Sequence, residues 1–202
     1  MSRFSDAERE RIRTQLIEAG RDLFAQFGFE RTRIKDITDA VEIGTSTFYQ
    51  FFDSKEALYV EVLCVERDEL EAQIDAAVSA VATPREEVRT MLETMFREIH
   101  ANPLISRLIV DNELYALHDQ LSAADQEELA ARIQQSELSY ADQWVDVAAF
   151  RIEDPAVVRG LIRSLVFTTR SRDTLVEAGN TASYEAVESA LIDAIVDGLF
   201  VE

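Results

Sequence analysis

Apolar residues recur three and four positions apart along nearly the whole chain, and no segment alternates with the period of two that a half-buried strand needs. The first helix opens at Ser5-Asp6-Ala7-Glu8, where a hydroxyl and a carboxylate three residues apart can each satisfy a free backbone amide. Ile12, Leu16, Ala19, Leu23 and Phe27 then mark one stripe as far as Gly28. A second, shorter run puts Ile34, Ile37, Ala40 and Val41 on one face. Glu42-Ile43-Gly44 breaks it, with Ile43 the one apolar residue available to plug the turn. From Thr45 to Phe52 small hydroxyl residues are mixed with aromatics, so that Phe48, Phe51 and Phe52 pack inward while Thr45, Ser46, Thr47, Tyr49 and Gln50 face out. Asp53 with Glu56 is placed to cap a fourth helix, which Leu58, Val62, Val65 and Leu70 carry to about Ala82.

All three prolines fall at helix starts. Thr83-Pro84-Arg85-Glu86 combines a cap, a proline in the first turn and a returning carboxylate, and opens a fifth helix. Asn102-Pro103 opens the sixth, Ser122 the seventh and Asp154-Pro155 the eighth, which Gly179-Asn180 ends; the ninth runs from Ser183 to Phe200. The last two carry broad stripes, Val158, Leu161, Ile162, Leu165 and Val166 on one and Val187, Leu191, Ile192, Ile195, Val196 and Leu199 on the other. Either stripe fits ordinary intrachain core. The expected fold is all-α with about nine helices, a small unit over residues 1–55 and a larger one over 56–202. A chain of 202 residues buries a substantial core.

Composition changes the picture in one respect. The net charge is −19, yet residues 1–55 hold nine basic and ten acidic residues while residues 56–202 hold 11 and 29. The acid load therefore lies away from the segment where Arg9, Arg11, Arg13, Arg31, Arg33, Lys35 and Lys55 cluster. Lys35 and Lys55 are the only lysines. Abundant acid with almost no lysine is the composition of proteins from salt-in halophiles; ordinary acidic drift gives the same numbers. Under high salt, binding to DNA loses the gain from counterion release, so few phosphate contacts are expected.

Other function classes find little support. One cysteine, Cys64, allows no intramolecular disulfide, and a redox role for it competes with that of a buried inert thiol. His100 and His118 lack a cysteine or carboxylate at ligand spacing, so no metal is expected, and no cofactor. There is no Gly-rich phosphate loop, no G-x-S-x-G and no H-E-x-x-H, and an enzyme is not expected. No apolar run approaches the roughly 20 residues that span a bilayer. Met1-Ser2-Arg3-Phe4 leads straight into a capped helix without a signal-peptide pattern, so a soluble cytoplasmic protein is the expectation.

The stretch from Thr32 to Leu58 points to double-stranded DNA. Two short helices joined by a tight turn, the second bearing short polar side chains outward, form what a helix-turn-helix needs to enter a major groove. Thr45, Ser46 and Thr47 open the reading helix, where free amides and hydroxyls suit phosphates and base edges. Gln50 can read adenine through two hydrogen bonds. Arg33 and Lys35 begin the preceding helix and suit the DNA backbone.

Gly28-Phe29, Thr32, Ile37, the run Thr47-Phe48-Tyr49-Gln50-Phe51-Phe52 and Ser54-Lys55-Glu56-Ala57-Leu58 together resemble the DNA-binding segment of the TetR family of transcriptional regulators. The resemblance covers about the first quarter of the chain. Glu42 stands where the family usually has glycine, Gly44 where it has a serine cap, and Ser46 where it often has glycine. The resemblance implies DNA contacts for Tyr49, through phosphate or a thymine methyl, and for Lys55, through phosphate. It implies a homodimer joined through the last two helices, with Val158, Leu161, Ile162, Leu165, Val187, Leu191 and Ile195 at the interface, so that two reading helices address a palindromic operator. It also implies a small-molecule effector site in the larger unit, for which Met91, Met95, Phe96, Tyr115, Tyr140, Trp144 and Phe167 are the candidates. The expected function is a repressor released by an effector; the alternative is a helical sensor or interaction protein that no longer binds a specific operator.

Overall fold

Nine α-helices account for most of the residues that the structure, a computed structural model, describes: 4–109, 121–123, 126–127, 131, 139–167 and 183–201. They are α1 (Asp6–Phe27), α2 (Ile34–Ala40), α3 (Thr45–Phe48), α4 (Lys55–Val78), α5 (Pro84–Ala101), α6 (Pro103–Ile109), α7 (Ser139–Val145), α8 (Pro155–Phe167) and α9 (Tyr184–Leu199). No strand is present among the described residues, only an isolated antiparallel bridge between Phe150 and Phe200. The seventh helix expected from Ser122 falls largely outside them, although the Gln126 amide does donate to the Ser122 carbonyl at 2.9 Å.

Capping chemistry sets the ends of the long helices. The Ser5 hydroxyl accepts from the Glu8 amide at 3.2 Å, and α1 stops at Gly28, whose φ of 81° costs a residue without a Cβ little. In α4 the cap is Ser54 and not Asp53: Ser54 is the last extended residue, and its hydroxyl accepts from the Ala57 amide at 3.1 Å. That helix also ends at Val78, short of the expected Ala82. Pro84 drives Thr83 into extended backbone, so the chain must leave the helix early enough to turn. Thr83 and Glu86 then close a reciprocal capping box at the start of α5.

A continuous apolar core runs from Ile12 in α1 to Phe200 after α9, with α4 at its centre. One side of α4 packs on α1. A Cβ placed on Gly20 would lie 3.2 Å from Leu58 and 3.4 Å from Val62, so the missing side chain lets these two helices approach closely. The other side packs on α5, and α5 is flanked in turn by α9, where Arg85 pairs with Asp197 and Arg89 with Asp193, each at 2.6 Å. Val158, Ile162 and Leu165 are buried within their own chain, as the reading of these stripes as ordinary intrachain core expects. Helical spacing identifies an apolar face but cannot tell which partner covers it. Leu161, Val187, Leu191 and Ile195 are half-buried.

Polar links cross the core beside α1. Glu66 of α4 is 1% exposed; it pairs with Arg21 of α1 and accepts from Asn102 Nδ2 at 2.5 Å. The oxygen of the same side-chain amide, Asn102 Oδ1, accepts from the Leu104 amide at 2.9 Å and so caps α6. From α6, Arg107 Nη1 donates back to the Phe24 carbonyl at the end of α1, at 2.6 Å.

Candidate nucleic-acid interface

The reading domain is built on aromatic anchors. Phe48 of α3 is fully buried, as is Ile37 of α2, and Phe52 is nearly so. The turn between α2 and α3 closes through the Ile43 amide, which donates to the Thr38 carbonyl at 3.0 Å, and half-buried Ile43 plugs it. Its geometry requires Glu42 at φ 58°, the left-handed region that glycine occupies without strain. Gly44, extended at φ −80°, then precedes the first residue of α3, and the Thr47 amide donates to its carbonyl at 2.8 Å.

The regular part of α3 is one turn long, Thr45–Phe48, shorter than the run to Phe52 expected from the pattern. Beyond it the amides of Gln50 and Phe51 donate three residues back, at 3.0 and 2.9 Å. These tighter turns still carry Phe52 inward, while Phe51 stays half-buried against Phe4. On the outside Thr45, Ser46, Tyr49 and Gln50 are exposed, Tyr49 by 53%, and Thr47 is half-buried. With those anchors beneath it, α3 presents an uncharged, hydroxyl-rich surface.

Around α3 the cations take different positions. Arg33 and Lys35 are exposed at the start of α2, where the Arg33 amide donates to Asp36 Oδ2 at 3.0 Å. The Lys35 ammonium is 2.5 Å from Asp39 Oδ2; hydrogen bonding to that carboxylate and then its charge raise the pKa of the lysine. Lys55 is turned inward. Its Nζ donates to the carbonyls of Phe29 at 2.9 Å and Thr32 at 3.1 Å and sits 4.0 Å from the centre of the Phe29 ring. Two of its three protons are used inside the chain, which leaves one for the phosphate contact that the resemblance implies. Arg33, Tyr49 and Lys55 nonetheless line one open cleft of about 360 Å³, together with Glu30, Asp53 and Glu56.

Two supports of α3 went unassigned in the sequence. Arg9 Nη2 donates to the Gln50 carbonyl at 3.2 Å and lies over the Phe51 ring, and Arg13 lies over Phe52 while pairing with Glu61 at 3.1 Å. Their four-residue spacing, facing a run of aromatics, is the signal that could have identified them.

The candidate effector residues occupy the core of the larger unit. Met91, Phe96 and Trp144 are fully buried and Met95 nearly so. Tyr140 and Trp144 stack with centroids 5.8 Å apart, and their polar ends are used: Trp144 Nε1 donates to Glu87 at 2.8 Å and Tyr140 Oη to Asp75 at 2.5 Å. Burial and then Asp75 push the Tyr140 hydroxyl up to about 12, so it remains a donor. Tyr115, His118 and the side chain of Phe167 lie outside the described residues.

Comparison with known proteins places this arrangement. Residues 16–62, from the middle of α1 to the start of α4, match the family described as bacterial regulatory proteins, tetR family. The chain is 28% identical over 124 residues to the HTH-type transcriptional repressor KstR of Mycobacterium tuberculosis, covering 61% of this chain and 56% of that protein. It is 23% identical over 193 residues to the repressor KstR2 of Rhodococcus jostii, covering 93% of this chain and 90% of that one. It thus spans about half the length of the KstR relatives it matches and most of KstR2. Among solved structures, RolR in complex with resorcinol superposes over 98% of this chain and 92% of its own with a TM-score of 0.65 and 19% identity, a likeness of fold. Helix order, the anchored reading helix and these matches agree: residues 16–62 form the DNA-binding segment of the tetR family of bacterial regulatory proteins, and the whole chain resembles proteins of that family in fold.

Proposed function

We propose that this protein is a homodimeric, sequence-specific DNA-binding transcriptional repressor that a small-molecule effector releases from a palindromic operator. The observation that carries the reading is α3: Phe48 and Phe52 hold it from below, while Thr45, Ser46, Tyr49 and Gln50 stand free to meet base edges. The repressors KstR and KstR2 among its relatives support the sign of regulation. Residues 1–55 read DNA and residues 56–202 bind the effector and pair the subunits. A one-turn helix addresses only a few base pairs, and a second copy about 34–36 Å away supplies the remainder of a palindrome. With Val158 and Ile162 already covered, pairing falls to the outer faces of α8 and α9, where Val157, Gly160, Ala190 and Ala194 are exposed. The effector enters by displacing packed side chains around Met91, Phe96 and Trp144, a site for an apolar or amphipathic molecule. It shifts the population toward a conformer whose two reading helices no longer match the half-site spacing.

Selection of random duplex DNA by the purified protein, with the molar mass in solution measured by light scattering, tests this reading. The expected result is a dimer that enriches a palindrome with half-sites about one helical turn apart. A dimer that enriches nothing at low salt would move the assignment to a DNA-independent sensor.

A further inference from the structure

We infer that each protomer grips the phosphate backbone with two arginines, Arg31 and Arg33, and that the other described cations of the reading domain are engaged by groups of their own chain or turned away from α3. The inference rests on the operator-binding reading above and adds which side chains neutralise phosphate.

Arg9 and Arg13 are held against α3 and its aromatic tail by a carbonyl, a carboxylate and two ring faces. Arg21 is bound to Glu69 through two hydrogen bonds and to buried Glu66. Freeing it would strand a carboxylate that is 1% exposed, a costly step. Arg11 lies two residues from both Arg9 and Arg13, which on a helix is about 200° of rotation and turns it away from α3. Lys35 pairs with Asp39 at 2.5 Å, and this neighbouring carboxylate weakens its pull on a phosphate. Arg31 and Arg33 differ: both are exposed, and neither guanidinium makes an ion pair among the described residues.

Lys55 acts through these two. The carbonyls it binds, Phe29 and Thr32, bracket Glu30-Arg31, and Arg33 follows directly. It is a positioning residue that fixes the loop from which both arginines project. Glu30, Asp53 and Glu56 line the adjoining cleft, so a phosphate placed deeper than the arginines meets carboxylates.

Four such contacts per dimer give a slope of log affinity against log salt of roughly −3.6, at about −0.9 per phosphate. Between 50 and 200 mM KCl the affinity then falls roughly a hundredfold, where six to ten contacts cost about 10³ to 10⁵. The test is fluorescence anisotropy of the full chain with its selected duplex over that range, for the wild type, Arg33→Gln and Lys55→Gln. Arg33→Gln is expected to flatten the slope by about 1.8. Lys55→Gln is expected to weaken binding by the same factor at every salt concentration, leave the slope in place and lower the melting temperature. A wild-type slope steeper than about −6 overturns the inference, as does a Lys55→Gln slope flattened like that of Arg33→Gln. If Lys55→Gln melts below the assay temperature, the wild-type and Arg33→Gln slopes decide alone. A steep slope leaves operator binding intact and sinks only the two-arginine grip; no binding to any duplex at 50 mM KCl sinks both.

Discussion

At the scale of single residues, the turn of the helix-turn-helix holds a conformational conflict. Glu42 sits at φ 58°, where a residue with a Cβ loses roughly 1–2 kcal/mol. Glycine there removes that strain but gains freedom in the unfolded chain, which offsets about half of it. Glu42→Gly is therefore expected to stabilise the protein by about 0.5–1 kcal/mol, a rise in melting temperature of roughly 1–4 °C. Glu42→Ala, which keeps the Cβ, should bring no such gain; equal stabilisation by the two variants, measured by urea unfolding, would trace the effect to the carboxylate instead of the backbone. The conflict was partly visible beforehand, since Glu42 stands where the resembled family favours glycine. Its cause was not, because a backbone angle is a property of the closed turn. Lys55 shows the converse: its place in the motif was plain, but the two carbonyls that take up its protons come from residues 26 and 23 positions earlier.

Among the elements, α1, α4 and α6 are tied by a buried polar chain. Glu66 joins Arg21 to Asn102, and Asn102 in turn caps α6. A buried carboxylate of this kind costs little when every oxygen is satisfied and much when a partner is lost. Glu66→Gln is expected to cost about 2 kcal/mol, discounted because Arg21 is partly in water. In a double-mutant cycle with Asn102→Ala, the coupling should reach about 1 kcal/mol by urea unfolding, whereas a value below about 0.3 kcal/mol would mean that the two act independently. The caps of α1 and α5 could be read directly, because a capping box is local and its partners lie three residues apart. Glu66 could not be distinguished from its many acidic neighbours, since its burial depends on where α1 and α6 come to rest against α4.

For the whole molecule, charge and fold act in opposite senses. Residues 56–202 carry a balance of −18, and the pairs that bridge α5 and α9 are largely exposed, so each contributes little. Self-repulsion of the acidic surface should outweigh them. The melting temperature is therefore expected to rise between 50 mM and about 0.5 M KCl as the Debye length shortens from roughly 14 to 4 Å, while affinity for DNA falls over the same range. A melting temperature that drops with KCl would show that the ion pairs dominate. Helical periodicity, the caps and the uneven charge all follow from residues near one another in the chain, and from them the all-α fold, the helix order and the reading helix were legible. Which faces are shared between helices was not: Val158, Ile162 and Leu165 look the same whether a second copy covers them or their own chain does. The same holds for the cations, where seven basic side chains in the first 55 residues seemed available and packing placed most of them beside carbonyls, carboxylates and rings. Local pattern selects secondary structure because its interactions span three or four residues; the partners of a side chain depend on contacts between residues far apart in the sequence, which form only when the helices pack.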